Sequence, residues 1–598
     1  MQLQSSVNAM YSIGRLPELP QLALKLKERL GWEPTYWITQ PGLEADVKSF
    51  FPDVITQDFT DANLGVNDPV ELETLPVIDP GLLVSNGLLL RQGLEITARH
   101  VLDNSIRPDQ QFNFYLNRLN YAFRVVKGLD LQVFVLASSP HCVADFAFYT
   151  AFKLLGRSIR YQHLTGFRGY QLVFDDVAAW PVNDLPPEAD HDIWDDNDKE
   201  LAKLLDDQSD NTPWYVTAQN ERNMKHEKYY TTAQEIIESG LYDYGHVDFH
   251  KPPQKIVIAK KAKAAPSEIT HQEPAPKGSG LFSRLKRGGA SPSVDAPVPQ
   301  PVLEEPEPHL VDAFSRKFQE KHSLELARAF AWTSRGFGRP NISWVNHYHY
   351  RDWSLLTKQR WAAQYEALTQ DFNFDDFKET PYVFYALQYQ PERTTSPEAG
   401  ILSDQLFALQ MIREAMPEDW HLLVKEHPSQ FLWQTEGELG RWDGYYDQIQ
   451  NLPRTTLVPT SVPSRPLIKS AKAVCTLTGT VGWEASLAGI PAICLAPTWY
   501  STEGIVLPVA NLETLGEAFG KIINGWRPDH SIIKDRIAFL QHFGRRCYIN
   551  PSHAPQYDGL SEDMNAETLA DLFVVNESRF TGAFHETLDR DSVPTELI

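Results

Sequence analysis

Two polar segments in the second half of the chain carry residue types that bind anions. Residues 425–428 read Lys-Glu-His-Pro, and residues 478–485 read Thr-Gly-Thr-Val-Gly-Trp-Glu-Ala. Each follows an apolar run typical of a buried strand, at 421–424 and at 473–477. Ligands of open α/β sheets bind outside the carboxyl ends of the strands. The two segments therefore predict one shared pocket, best suited to a phosphate group.

His427 is the side chain of this pair of segments that most directly predicts phosphate binding. Pro428 favours an extended backbone at His427, which directs the imidazole across the edge of the sheet. Lys425 lies two residues away, on the same side of an extended segment, whereas Glu426 points to the other side. The alternative is a histidine that only satisfies its own hydrogen bonds at a strand end.

The second segment combines glycines for close backbone approach with hydroxyl groups for hydrogen bonding. It contains Thr478, Gly479, Thr480 and Gly482, and a helix predicted to follow them would direct its positive end at an anion. Glu484, in the first turn, could accept from a ribose hydroxyl. Neither the P-loop pattern nor GxGxxG is present, which argues against an ATPase and a dehydrogenase. A strand–helix turn without a ligand is the alternative.

A third loop follows the strand predicted at 382–387. Arg393 could bind a phosphate or a carboxylate through its planar guanidinium, and Gln388 and Gln390 could recognise a sugar or a base. The loop is weak evidence alone and gains weight because it is predicted at the same edge of the sheet.

The first half offers candidates for a catalytic base or an acceptor-binding group. A strand at 131–137 leads to a loop with His141, and Asp145 lies in the first turn of the helix that follows. A His–Asp pair with this spacing can also be a surface or capping pair. Asp175 and Asp176 are further candidates for a catalytic carboxylate.

No metal site is predicted. His347 and His349 would project to the same side of an extended segment, but no third ligand lies near them in the sequence. The four cysteines are widely scattered and lack metal-binding spacing, which fits a reducing compartment.

The overall charge limits the classes of partner. A formal net charge of −23 over 598 residues argues against a general nucleic-acid-binding protein. No apolar run is long enough for a membrane span, and the first residues do not resemble a secretory signal. We expect a cytoplasmic protein, with contact at the inner face of the membrane left open.

Alternating strand and helix patterns predict an α/β fold with two Rossmann-like domains, as in the glycosyltransferase-B architecture, and a disordered linker. The predicted parts are an acceptor-side α/β domain at 1–253, a flexible Pro/Ala/Ser-rich linker at 254–310, a helical connection at 311–380, a nucleotide-sugar-binding α/β domain at 381–545 and an extension at 546–598. A single α/β domain with an irregular N-terminal extension is the alternative.

Four segments resemble a known family: LQYQPERTTSP (387–397), VKEHPS (424–429), IKSAKAV (468–474) and TGTVGWEASLAGIPAI (478–493). They are similar to the capsule polysaccharide biosynthesis family, whose better-understood members are bacterial Kdo transferases that use a CMP-linked sugar. Residues 138–161 resemble the first half of that family more loosely.

The resemblance implies a metal-independent glycosyltransferase-B enzyme, in which His427 and the loop 478–484 hold the nucleotide and its phosphate. His-Pro pairs similar to His427-Pro428 occur in CMP-sialic acid transferases, which favours a CMP donor. No cofactor is implied beyond the nucleotide-sugar donor.

The sequence thus predicts a glycosyltransferase of capsular polysaccharide biosynthesis. Its partners would be a nucleotide-sugar donor, with Kdo as a candidate sugar, and a glycan or lipid-linked acceptor. Peripheral association with a polysaccharide assembly complex at the membrane is a further expectation. Two alternatives stay open: a non-catalytic scaffold that binds glycan or nucleotide, and a nucleotide-sugar epimerase.

Overall fold

The computed structural model describes residues 6–181, apart from 13–17, 41, 72–76, 101–107 and 168, together with residues 358 and 361–581, apart from 433–436, 443, 549–556 and 558. The predicted linker at 254–310, most of the helical connection predicted at 311–380 and the His347/His349 pair lie outside these residues.

Two sheets organise the described chain. The first has seven strands in the spatial order β13-β6-β5-β4-β1-β2-β3, and the second has six in the order β12-β11-β10-β7-β8-β9. The strands are β1 (Val7–Ser12), β2 (Trp32–Thr39), β3 (Ile55–Asp58), β4 (Val133–Leu136), β5 (Ser158–Leu164), β6 (Tyr170–Phe174), β7 (Tyr382–Ala386), β8 (His421–Lys425), β9 (Thr455–Val458), β10 (Ala473–Thr476), β11 (Ala492–Cys494), β12 (Leu507–Pro508) and β13 (Arg545–Arg546).

Every strand pair of the second sheet is parallel, and so are the pairs from β3 to β5 in the first sheet. Parallel sheets are covered on both faces, and their central strands are therefore apolar throughout. The strands β4 and β10 fit this rule, since all four residues of each are buried. The antiparallel strands β6 and β13 complete one edge of the first sheet.

Helices connect and cover the strands. They are α1 (Leu19–Leu30), α2 (Glu44–Phe50), α3 (Phe59–Leu64), α4 (Pro80–Val84), α5 (Gly87–His100), α6 (Pro108–Gly128), α7 (Val143–Leu154), α8 (Gln405–Ala415), α9 (Tyr445–Gln450), α10 (Ser464–Ser470), α11 (Val481–Leu487), α12 (Leu512–Ile523), α13 (His530–Phe543) and α14 (Glu562–Thr581). Local signals set their ends. Asp404, for example, accepts from the backbone N–H groups of Leu406 and Phe407 and caps α8.

The predicted fold class is confirmed: the chain is α/β with two Rossmann-like sheets, and the single-domain alternative is wrong. Between 382 and 496 the sequence pattern predicts strands at 382–387, 421–425, 455–458, 473–477 and 491–496 and helices at 403–416, 464–471 and 483–489. Each of these elements is present, with ends that shift by two residues or less. The pattern also predicts helix over 512–543, and this region is divided into α12 and α13, because Gly525 adopts a positive φ of 93° and Pro528 follows. The domain limits remain predictions.

The last described elements return to the first sheet. β13 pairs with β6, and α14 lies beside α1. Arg160 on β5 forms a bidentate ion pair with Glu577 on α14, with Nε donating to Oε2 at 2.6 Å and Nη2 to Oε1 at 2.8 Å. Leu569 and Phe573 of α14 are buried in one hydrophobic cluster with Trp32 and Trp37. The first half of the fold is therefore completed by residues after 544.

In the described part of the chain, no helix has both the length and the apolar character needed to cross a membrane.

Candidate active site

The strand order of the second sheet brings the three predicted loops together. β7 lies between β10 and β8, so the loops after these three strands are neighbours at one edge. From β7 the chain first adds β8 and β9 on one side of the sheet and then β10, β11 and β12 on the other side. The crevice between β7 and β10 is therefore the topological switch point, which is the usual ligand site of a doubly wound sheet. Gln388 follows β7, His427 follows β8 and Thr478 follows β10.

His427 is held as a neutral hydrogen-bond donor. Its Nδ1 accepts from the backbone N–H of Ser429 at 3.1 Å, so the proton of the neutral ring lies on Nε2. Burial lowers the pKa of His427 to about 4, partly offset by the charge of Glu426. At neutral pH the ring therefore carries no charge and presents an Nε2–H group, which can donate to a phosphate oxygen.

A buried ion pair that sequence reasoning missed supports this loop. Glu426 accepts from Arg441 at 2.8 and 2.9 Å, and both side chains are fully buried. Tyr446 donates to the same carboxylate at 2.7 Å, and the backbone N–H of His427 does so at 2.7 Å. Arg441 also donates to the backbone oxygen of Gln388 at 3.2 Å. One guanidinium thus connects the loops after β7 and β8.

Gln388 connects the loops after β7 and β10. Its side-chain N–H donates to Thr478 Oγ1 at 2.8 Å, and the Thr478 hydroxyl donates to the Thr394 backbone oxygen at 3.0 Å. Gly479 is required here, because a Cβ would lie 2.8 Å from Thr476 Oγ1. These contacts fix the backbone at the crevice.

The rest of this segment forms the start of a short helix. α11 has seven residues, and Thr480 donates to the exposed carboxylate of Glu484 at 3.2 Å. A Cβ on Gly482 would lie 2.7 Å from the Tyr500 hydroxyl, so this glycine allows helix and aromatic ring to pack closely. Thr480 also faces the first half, where a Cβ on Gly166 would lie 3.4 Å from its methyl group.

Lys425 is a buried cation next to the same crevice. Its side chain donates to Ser464 Oγ at 3.1 Å and is 7 % exposed. Burial lowers the pKa of Lys425 to about 8, and the charge of Glu484 acts in the opposite direction. The ammonium is therefore charged at pH 7 and loses its proton within an accessible pH range.

This pKa predicts a pH dependence of anion binding. A bound phosphate stabilises the charged lysine, so affinity should fall as pH rises through about 8, approaching about tenfold per pH unit. Isothermal titration calorimetry of CMP between pH 6.5 and 9.5 measures it. Lys425→Met should bind weakly with little pH dependence in this range. Lys425→Arg should keep the affinity but, unlike the wild type, show a flat pH profile, because arginine stays charged. A profile of the same slope in Lys425→Met would contradict the assignment.

The first sheet has an equivalent crevice between β1 and β4. Ser12, the last residue of β1, donates to Asp145 at 2.5 Å, and Asp145 lies in the first turn of α7 after β4. Burial raises the pKa of Asp145 to about 6, and the hydrogen bond from Ser12 opposes that rise. A carboxylate with this pKa is partly protonated near neutrality and suits proton transfer.

His141 lies in the loop between β4 and α7 with the opposite tautomer to His427. Its Nδ1 is 2.8 Å from the backbone oxygen of Ser139, which only accepts, so Nδ1 carries the proton. The lone pair is on Nε2, as a base requires. Burial lowers the pKa of His141 to about 4. No hydrogen bond joins His141 to Asp145 among the described contacts.

The two crevices meet at a junction built by the loop after β7. Ser139, beside His141, donates to Glu398 at 2.5 Å. Helix α5 contacts the same loop, since Gln92 donates to the Pro397 backbone oxygen and Arg99 to that of Ser396, both at 2.8 Å. The site therefore lies where the two halves contact each other.

Arg393 belongs to this junction rather than to the pocket of His427 alone. Its charge acts on the titration of both His141 and His163, which places the guanidinium near the first half. Asp176 is engaged elsewhere: it accepts from Tyr149 at 2.8 Å and pairs with Lys153. That ion pair helps to hold the pKa of Asp176 below its usual range, against the effect of burial.

Over the described residues, no group of three or more His, Cys, Asp or Glu side chains is arranged to hold a metal ion.

Residues 345–509 match the model of a family described as capsule polysaccharide biosynthesis protein. The resemblance to this family is confirmed over that segment. The match contains β7 to β12 with their loops, and so every site residue of the second half. His141 and Asp145 lie outside it.

Solved structures with detectable similarity include sugar transferases and an epimerase. The Thermosulfurimonas dismutans KpsC β-Kdo 2,7 transferase is 18% identical over 33% of this chain and 62% of that chain, with a TM-score of 0.17. The β-Kdo 2,4 transferase of the same protein is 15% identical over 30% and 63%, with a TM-score of 0.18. The UDP-GlcNAc 2-epimerase from Neisseria meningitidis, bound to UDP-GlcNAc, is 9% identical over 90% and 94%, with a TM-score of 0.18.

The matched part of this chain spans under two thirds of the two Kdo transferase structures. No curated protein matches the chain.

Proposed function

We propose that this protein is a glycosyltransferase of capsular polysaccharide biosynthesis. It would move a sugar, with Kdo as the leading candidate, from a CMP-linked donor to a glycan or lipid-linked acceptor. The observation that carries the proposal is the pair of crevices at one junction, with an Nε2–H donor on His427 and an Nε2 lone pair on His141. The match to the capsule polysaccharide biosynthesis family supports it.

The second half would bind the donor. His427 donates its Nε2–H to a phosphate oxygen, and Lys425 and Arg393 supply positive charge as the phosphate leaves. The loop after β10, with Thr478, Gly479, Thr480, Gly482 and Glu484, would form the opposite wall of the pocket. Gln388 would fix that wall through its bond to Thr478.

The first half would supply the base. An acceptor hydroxyl oxygen forms a bond to the anomeric carbon while the bond from that carbon to the phosphate oxygen breaks. The nucleotide leaves with the electron pair, and the hydroxyl proton passes to His141 or Asp145. Asp145 has the pKa nearer to neutrality, whereas His141 has a lone pair that no described donor occupies.

A calorimetric screen of CMP, UDP and GDP, followed by a donor turnover assay, tests the proposal. Binding of CMP with donor hydrolysis that accelerates on addition of a glycan acceptor supports the transferase. Consumption of donor without acceptor and without nucleotide release would indicate an epimerase, and glycan binding without nucleotide binding would indicate a scaffold. Because side chains are assigned the role of stabilising the phosphate, EDTA should leave the rate unchanged.

We further propose that the enzyme acts in the cytoplasm, and at the inner face of the membrane when its acceptor is lipid-linked. Co-sedimentation with vesicles that carry such an acceptor measures this association.

A further inference from the structure

A hydrogen-bonded chain crosses the junction between the two halves. Glu398, which follows the loop after β7, is 5 % exposed, and its carboxylate accepts from the Ser139 hydroxyl at 2.5 Å. The backbone oxygen of Ser139 in turn accepts from Nδ1–H of His141 at 2.8 Å. Glu398 belongs to the second half, and the two residues it reaches belong to the first.

We propose that Glu398 is a positioning residue for His141 and acts through Ser139 across the junction. The proposal rests on the proposed function in one respect, the role of His141 as a base. The carboxylate of Glu398, which would orient His141 as the base, would then belong to the half that binds the donor.

The geometry supports this role. An O–H···O distance of 2.5 Å is typical of a hydrogen bond to an ionised carboxylate. Ser139 is fully buried, so bulk water does not compete with Glu398 for its hydroxyl group. A fixed Ser139 side chain fixes the direction of its backbone carbonyl, and that carbonyl selects the His141 tautomer with a free lone pair on Nε2.

The charge of Glu398 acts in the same direction. The charged groups that face His141 are Arg99 from α5 and Arg393 and Glu398 from the second half. Burial and the two arginines lower the pKa of His141, whereas Glu398 raises it. Glu398 also lies 4.0 Å from Nδ1 of His163, whose pKa burial lowers to about 4. Removing this carboxylate therefore makes His141 a weaker base.

Substitutions of the two linked residues test the proposal by turnover. Glu398→Gln keeps an acceptor for Ser139 but loses the charge, and should lower kcat by about tenfold. Glu398→Ala and Ser139→Ala should each lower it by about a hundredfold, within the range of general-base catalysis. The KM for donor should change by less than about threefold. Since the residues act in one chain, the double alanine variant should be no slower than the slower single variant.

Glu95→Gln is the matched control. Glu95 on α5 also bridges the halves, through Ser396 at 3.1 Å and Ser403 at 3.1 Å, but does not face His141. The kcat of the Glu95→Gln variant should stay within about twofold of the wild-type value. Equal losses in Glu95→Gln and Glu398→Gln would reduce the effect to general loosening of the junction and overturn the proposal.

Nitrogen NMR of ¹⁵N-histidine-labelled protein without substrate separates this proposal from the proposed function. The wild-type His141 signal, assigned against His141→Gln, should show a proton on Nδ1, and Ser139→Ala and Glu398→Ala should shift the ring toward the Nε2–H tautomer. An unchanged tautomer in both variants would overturn the positioning role. If the tautomer shifts as expected but no donor is turned over, the proposed function fails and the positioning role remains.

Discussion

Replacement of His427 by alanine is expected to lower turnover of the donor by about a hundred- to a thousandfold, with little change in the free energy of unfolding. Loss of a single preorganised donor to a developing negative charge has effects of this size. The ring is half-buried and donates no hydrogen bond to the protein in the described contacts, so its removal leaves the core intact. Steady-state kinetics with a CMP-linked sugar and thermal unfolding measure both quantities.

The pH profile provides a second test of His427. Since the pKa of His427 is about 4, the ring stays neutral between pH 6 and 8, and its titration should not limit turnover there.

His421→Ala is the control for the loss of turnover in His427→Ala, because His421 begins the same strand at the edge away from the site. A rate for His427→Ala equal to that of His421→Ala would refute the phosphate role.

Replacement of Arg441 by methionine should destabilise the protein by about 3–5 kcal/mol and also abolish turnover. Removing one member of a fully buried ion pair leaves an uncompensated charge, here the carboxylate of Glu426. The same change frees the loops after β7 and β8, since Arg441 also binds the Gln388 backbone and holds the residue before His427. Denaturant unfolding followed by far-ultraviolet circular dichroism measures the loss.

An exposed ion pair is the comparison for Arg441. Lys378 and Asp375 are paired at 2.6 Å, with side chains 60 % and 69 % exposed. Lys378→Met should cost less than about 1 kcal/mol, because exposed pairs contribute little. If Arg441→Met cost no more than Lys378→Met, the Glu426–Arg441 pair would not support the site in the way described above.

The sequence predicted that the loops after β7, β8 and β10 meet at one edge of the sheet, for a physical reason. Gln388, His427 and Thr478 each follow an apolar run, and the carboxyl ends of parallel strands meet at one edge of a sheet. The order of strands was not needed to place these loops at the same edge. Local patterns therefore sufficed for residues that follow β7, β8 and β10.

The remaining features depend on contacts between distant residues. Arg441 lies in an irregular segment with no periodic pattern, and Glu398 acts on a serine 259 positions earlier in the chain. The tautomers of His141 and His427 depend on single backbone partners, which residue spacing does not reveal. The sequence did not predict β1, because its six residues are of mixed polarity and form a weak strand pattern. Ser12, the last residue of this strand, nevertheless holds Asp145 in place through a hydrogen bond.

The return of the chain to the first sheet has a consequence for the order in which the protein folds during synthesis. Glu18 and Asn565 form a buried hydrogen bond at 3.0 Å, and the cluster around Trp32 and Trp37 requires Leu569 and Phe573. During synthesis, more than five hundred residues are added after Glu18, Trp32 and Trp37 before the residues that they contact leave the ribosome. The second sheet, whose strands lie between 382 and 508, can form as a unit before that time. The first sheet, whose strands β1 and β2 precede the second sheet in the chain, can therefore complete its core only after the second sheet has been synthesised.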